Sequence, residues 1–202
     1  MVVFARNKCF EFAAKLGVDF FIEMDDDYVD FRYRYQCGGK LLARHLPLDA
    51  VFDLYFDFLI LSGATCVALA QGGDFIGGVD GSFKKRYSRK LMNVYFCKTS
   101  SPFLFYGRLN EDTTTYALLG RQGVLFLTPY LFMATQKETQ SNAGGLSDIY
   151  RERGTYFKTF YSVMYAPSCV RVATMGDGHA RIHHKVLSNF AYPKILSEKV
   201  RK

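Results

Sequence analysis

Three successive carboxylates, Asp25-Asp26-Asp27, close a short apolar run from Phe20 to Met24. Crowded carboxylates repel one another, which raises the free energy of the empty site unless a cation shares it. Mg²⁺ or Mn²⁺ suits them, because hard divalent ions take oxygen ligands and are commonly held by one or two carboxylates plus substrate phosphates. Alternate residues of an extended segment point the same way, which pairs Asp25 with Asp27. A solvated charge run or a helix cap is the plain alternative, and the apolar strand in front argues against it.

A second acidic pair, Glu111-Asp112, follows Asn110 directly ahead of a helical stretch. Carboxylates there favour the positive end of a helix, so capping is one explanation. General base catalysis is the other, since attack by a hydroxyl on a sugar carbon needs a carboxylate to take the proton. Near the C-terminus, Gly178 to Lys185 holds His179, His183 and His184, three of the four histidines. An imidazole, preferably His183, adds a ligand beside Asp27, while Arg181 and Lys185 balance charge on a leaving diphosphate. The alternative is an exposed histidine-rich loop.

Several elements must hold these groups. Cys9, Phe12, Ala13 and Leu16 recur at helical spacing, and Gly17 is placed to end that helix. Phe20 to Met24 reads as a central strand of a covered sheet, with its acidic end at the mouth, where ligands of open α/β sheets bind. Phe31 to Tyr35 alternates aromatic and basic residues ahead of Gly38-Gly39, and Pro47 opens a helix reaching about Ile60. Thr65 to Ala70 reads as a buried strand running into Gln71-Gly72-Gly73-Asp74-Phe75-Ile76-Gly77-Gly78, whose glycines permit either close approach to a ligand or hairpin turns.

Asn93 to Cys97, Phe103 to Tyr106, Val124 to Leu127 and Cys169 to Thr174 are further strand candidates. A helix after Asn110 should end near Gly120 or Gly123, and another from Ser147, carrying Tyr156, Phe157, Phe160, Tyr161 and Met164, should stop before Pro167. Helices and strands mix without a visible boundary, so residues 1–202 read as one α/β domain.

Charge divides unevenly. The net value is +7, yet residues 1–60 hold 7 basic and 10 acidic groups, against 19 and 9 in the remainder. A basic body around an acidic site suits phosphate-bearing partners. Its densest cluster, Lys84-Lys85-Arg86-Tyr87-Ser88-Arg89-Lys90, reads as a loop that grips a nucleic-acid backbone or as a solubilising surface. Five spread-out cysteines fit reduced, mostly buried thiols and a cytoplasmic location. No signal peptide is evident, and the longest apolar stretch, Phe58 to Ala70, is too short to span a bilayer.

Ala5-Arg6-Asn7 followed by Ala13, Gly17 and the strand ending in Asp25-Asp26-Asp27 resembles the donor-binding core of GT-A glycosyltransferases. Ala70 to Gly78, Asn110-Glu111-Asp112, Gly144-Gly145-Leu146, Gly154 to Met164, Pro167 to Val170 and Arg181 to His184 are similar to the TET-associated glycosyltransferases, found largely in bacteriophages.

The resemblance implies a GT-A-like (Rossmann-like) mixed central sheet flanked by helices. It also implies transfer of a hexose, expected to be glucose, from a UDP-sugar to the hydroxymethyl group of a pyrimidine in DNA, with Mn²⁺ or Mg²⁺ and inversion. Under it Arg6 and Asn7 face the nucleotide, Asp25, Asp27 and His183 the metal, Asp74 the donor sugar, and Glu111 or Asp112 the acceptor hydroxyl. Asp26, Gly73, Arg181 and Lys185 complete the donor set, and Lys84, Lys85, Arg86, Arg89 and Lys90 the nucleic-acid contact. Only four residues precede Ala5, where a GT-A domain places its uracil-recognising strands, so the first N-terminal strands are expected to be lacking. The same carboxylates and histidines are compatible with a metal-dependent nuclease or phosphohydrolase, and the fold with an inactive DNA-binding module.

Overall fold

The computed structural model describes residues 2–136, 152, 154, 156–175 and 181–194. Helix α1 (Val2–Leu16) leads into β1 (Phe20–Glu23), then the hairpin β2 (Tyr28–Cys37) and β3 (Lys40–His45), α2 (Leu48–Ser62) and β4 (Cys66–Ala68). Three short 3₁₀ turns at Gly72–Phe75, Gly78–Asp80 and Ser82–Lys85 precede β5 (Tyr87–Ser88) and β6 (Tyr95–Lys98). Helix α3 (Glu111–Gly120), β7 (Phe126–Pro129) and β8 (Phe132–Gln136) follow; beyond them lie α4 (Phe157–Tyr165), the hairpin β9 (Val170–Met175) and β10 (Arg181–Val186), and α5 (Ser188–Ala191).

The main sheet has the order β1-β6-β4-β7-β5, with β4 parallel to β7 and the other pairs antiparallel. It is a mixed sheet flanked by helices. Strand periodicity of two sorts its side chains onto two apolar layers. Cys66, Ala68, Tyr95, Cys97 and Phe126 face a core shared with Phe10 of α1 and with Tyr116 and Ala117 of α3. Val67, Leu69, Val94, Phe96 and Leu127 face the opposite core, closed by Val51, Tyr55 and Leu59 of α2. With both faces covered, β4 is buried at all three positions.

A three-stranded sheet, β3-β2-β8, joins this body through the parallel bridge between Ala70 and Met133. Its β2–β3 turn is the two-residue Gly38-Gly39, both at positive φ (54° and 74°), the geometry that lets a tight hairpin follow the twist of its strands.

Three expectations change. β1 is an edge strand paired with β6, not a central one, and Phe20 at its start is exposed. The buried face of α1 is Arg6, Phe10 and Ala13, while Phe12 and Leu16 are 59% and 76% exposed. Phe103 to Tyr106 forms no strand; Phe103 and Phe105 are buried as irregular chain packed under α1. Of the cysteines, Cys66, Cys97 and Cys169 are buried, but Cys37 is exposed and Cys9 only partly covered. The start of the helix expected from Ser147 and the Gly144-Gly145-Leu146 motif lie outside the described residues. No helix among the described residues is long and apolar enough to cross a membrane.

Candidate active site

Because β1 and β4 each run antiparallel to β6, and β4 runs parallel to β7, the carboxyl ends of β1, β4 and β7 share one edge of the sheet. The acidic turn Met24 to Asp27, the loop Gln71 to Asp74 and Tyr130 all leave from that edge.

Arg6 organises this edge. It is 6% exposed, an unusual position for a guanidinium unless its charge is met. Its Nη2 donates to both oxygens of Asp25 (2.9 and 3.1 Å), its Nε donates to Glu111 Oε1 (3.3 Å), and its Nη1 lies 3.8 Å from Glu23 Oε2. The guanidinium also stacks over Tyr95, 4.7 Å from the ring centre. Burial opposes its charge, yet Tyr95, Asp25, Glu111 and Glu23 together hold it above the usual arginine range. One side chain from α1 thus ties the end of β1 to the start of α3.

Glu23 is the least satisfied member. It is 5% exposed, and neither carboxylate oxygen has a hydrogen-bond partner among the described residues. Burial pushes its pKa up to about 7 despite the attraction of Arg6. Glu111 and Asp112 are also raised, Glu111 by burial and the neighbouring Asp112 charge, Asp112 by burial against the amide of Thr113, which donates to its Oδ1 (2.5 Å). Raised carboxyls make better proton acceptors near neutral pH. Lys158, Arg6 and Lys90 all act on Asp112 in the opposite direction, lowering its pKa.

Asn110 fixes the start of α3. It adopts the left-handed conformation (φ 53°), and its side-chain amide faces the carbonyl of Lys158 (3.2 Å), Ser162 Oγ (3.2 Å) and His184 Nδ1 (3.1 Å). His184 Nε2 lies 3.5 Å from Thr113 Oγ1. Burial, then His183 and Lys158, push the His184 pKa down to about 4, so it accepts from Asn110 as a neutral ring. The late histidine that reaches the start of α3 is therefore His184, through Asn110 and Thr113, while His183 Nδ1 sits 2.7 Å from the His184 carbonyl. His183 and His184 occupy β10, not a loop. His179 and the Arg181 side chain lie outside what the structure describes, and Lys185 is exposed.

Asn7 spends its amide on Phe105, accepting from its N–H (2.7 Å) and donating to its carbonyl (3.2 Å), so it braces the 103–106 segment against α1. Asp26 is exposed, and Asp27 Oδ1 accepts from Gln136 Nε2 (3.3 Å). Asp25 is claimed by Arg6, whereas neither Asp26 nor Asp27 has an ion pair among the described residues. No three His, Cys, Asp or Glu side chains stand together as a metal cluster among the described residues, so Asp25, Asp27 and His183 do not form one. What remains at the turn is carboxylate oxygen alone, a donor set that fits a hard cation held by one or two carboxylates and completed by phosphate.

The glycine-rich loop forms 3₁₀ turns, not a hairpin, with Gly77 and Gly78 at φ 82° and 59°. Gly73 lies outside that strained region and has open space where a Cβ would project. Buried Asp74 accepts from the Gln71 N–H (3.0 Å) and ion-pairs with Lys90. This commits Lys90, which the sequence grouped with the nucleic-acid contacts. Arg89 Nη1 reaches the Pro193 carbonyl (3.2 Å) but remains exposed, as do Lys84, Lys85 and Arg86.

A mixed α/β body with carboxylates gathered beyond the ends of co-directional strands has the layout of a glycosyltransferase-like fold. Comparison with known families makes the class specific: residues 1–145 match TET-Associated Glycosyltransferase, and the chain belongs to that family. Neither the curated proteins nor the solved structures yielded a match.

Proposed function

We propose that this protein transfers a hexose from a UDP-sugar to the hydroxymethyl group of a modified pyrimidine in DNA. One observation carries the reading beyond family membership: Arg6 grips Asp25 and Glu111 at once, so the acidic turn and the Glu-Asp pair belong to a single centre. Asp27, with Asp25 beside it, would hold Mn²⁺ or Mg²⁺, which when bound neutralises charge on the leaving diphosphate.

Asp112 is the proton acceptor. As the acceptor oxygen bonds to the anomeric carbon, Asp112 takes its proton, and the bond to the diphosphate breaks with its electron pair leaving on UDP. A single attack from the face opposite the diphosphate inverts the anomeric centre. Glu111, held by Arg6, and Asn110, held by α4 and β10, keep Asp112 in place without touching the reacting atoms. Asp74 and the loop around Gly73 face the donor sugar in this reading.

The test is mass spectrometry of hydroxymethylated DNA incubated with the protein, mixed UDP-sugars and Mn²⁺. A gain of one hexose per modified base, abolished by EDTA, is expected. Cleaved DNA with UDP-sugar untouched would instead identify a nuclease and overturn the proposal.

A further inference from the structure

Two adjoining clefts flank the basic segment. The first, about 560 Å³, is lined by Asp74, Lys85, Arg89 and Lys90 together with Tyr87, Tyr130 and Tyr192, a volume within the range of small-ligand sites. The Asp74–Lys90 pair lies in this cleft, the exposed Lys85 and Arg89 belong to its lining, and Tyr87 is 48% exposed. Burial pushes the Tyr192 phenol up to about 12, so it stays neutral there. Asp74 and Tyr130 in its lining leave the sheet edge from which the acidic turn also departs, which puts this cleft on the side of the candidate site.

The second cleft, about 500 Å³, runs along the β2–β3 hairpin between Tyr33, Arg34, Tyr35, Phe83 and Arg86. Tyr33 and Tyr35 present parallel rings 5.7 Å apart, and Arg44 lies over Tyr35. Consecutive residues divide between the clefts: Lys85 lines the first and Arg86 the second. A free nucleotide sugar ends where its pocket ends, whereas a polynucleotide continues, and this pair of clefts offers cations and aromatic faces along one such path.

We infer that the Tyr87–Tyr130–Tyr192 face of this cleft receives one pyrimidine nucleotide of the DNA, turned out of its stack beside the donor sugar at Asp74, while the adjoining strand runs over Lys84 to Arg86 toward the hairpin tyrosines. The assignment rests on the reading of the protein as a DNA-directed glycosyltransferase and adds where the acceptor sits. A base stacked inside a duplex cannot enter such a cleft, so it must leave its stack to bring its substituent there. Lys85 and Arg89 meet phosphates, and Tyr87 stacks on the base.

The probe is a DNA strand carrying 5-iododeoxyuridine at the acceptor position, whose iodine occupies the place of the hydroxymethyl group and cross-links to a contacting aromatic ring under ultraviolet light. Cross-linked peptides containing Tyr87, Tyr130 or Tyr192 are expected, and Tyr87→Ala, an exposed change that leaves the core intact, should weaken DNA binding by about tenfold. Cross-links confined to other residues, or no cross-link at all, would overturn the cleft assignment. Sugar transfer seen alongside such misplaced cross-links would leave the activity standing and remove only the acceptor site; cross-links at these tyrosines without any transfer would support the site and remove the activity.

Discussion

The Arg6 centre and the tyrosine-lined cleft handle charge in opposite ways. At Arg6, one cation and three carboxylates are drawn from α1, β1, the turn after it and the start of α3, with Arg6 and Glu23 buried and Asp25 half-buried, so each depends on the others. In the cleft, only Asp74 and Lys90 are so committed, and the remaining cations project into solvent from short turns. Buried charge networks cost much to break because the survivors are left unpaired, whereas exposed cations can be removed with little effect on the fold. The first region holds a geometry, and the second, as proposed, meets a large and variable anion.

The sharpest way to break that contrast is Asp112→Asn, which should lower the turnover of sugar transfer by about 10²- to 10⁴-fold while the protein stays folded by circular dichroism. A residual rate near that of the unaltered protein would remove Asp112 from the chemistry. Arg6→Ala should follow in size, costing about 3–5 kcal/mol in urea unfolding, since Glu23, Asp25 and Glu111 lose their shared cation. A loss below about 1 kcal/mol would show that the network is not what fixes this edge.

pH separates two further members of the centre. The Glu23 pKa of about 7 lies above its ordinary 4.5, so its contribution to stability is full below pH 4.5 and is lost as pH rises through about 7. His184, at about 4 against 6.5, works the other way: its contribution is present above pH 6.5 and is lost as pH falls toward 4. Between pH 4.5 and 6.5 the two slopes oppose. Glu23→Gln should therefore leave a stability that rises with pH across this window, and His184→Asn one that falls, each by on the order of 3 kcal/mol in urea midpoints converted to free energy. Identical profiles for the two variants would refute the assignment. The smallest effect belongs to the cleft: Lys85→Ala should change stability by less than about 0.5 kcal/mol yet lower the salt slope of DNA binding by about one.

Punctuation residues made much of the scaffold legible. Gly17 ends α1 in the left-handed region, Pro47 precedes α2, and Asn110 marks the start of α3. The strand cores around Val67, Phe96 and Val170 were readable from runs of apolar residues. What could not be read was which face turns inward. Periodicity assigned Phe12 and Leu16 of α1 to the core, but the helix buries Arg6 because Asp25 and Glu111, 19 and 105 positions away, supply its counter-charge. Glu23 left one clue, a lone acid inside an apolar strand. The Tyr87–Tyr130–Tyr192 grouping left none, since it arises only where β5 pairs with β7 and α5 returns to α3.

The family match stops at residue 145, whereas the groups that secure the Asn110 amide stand at 158, 162 and 184. The matched region and the contacts that hold the candidate site therefore have different borders in this chain. A chimera that exchanges the tail beyond the matched region would carry off the anchorage of α3, and the Asp112 proposed as proton acceptor would have to settle on unfamiliar ground.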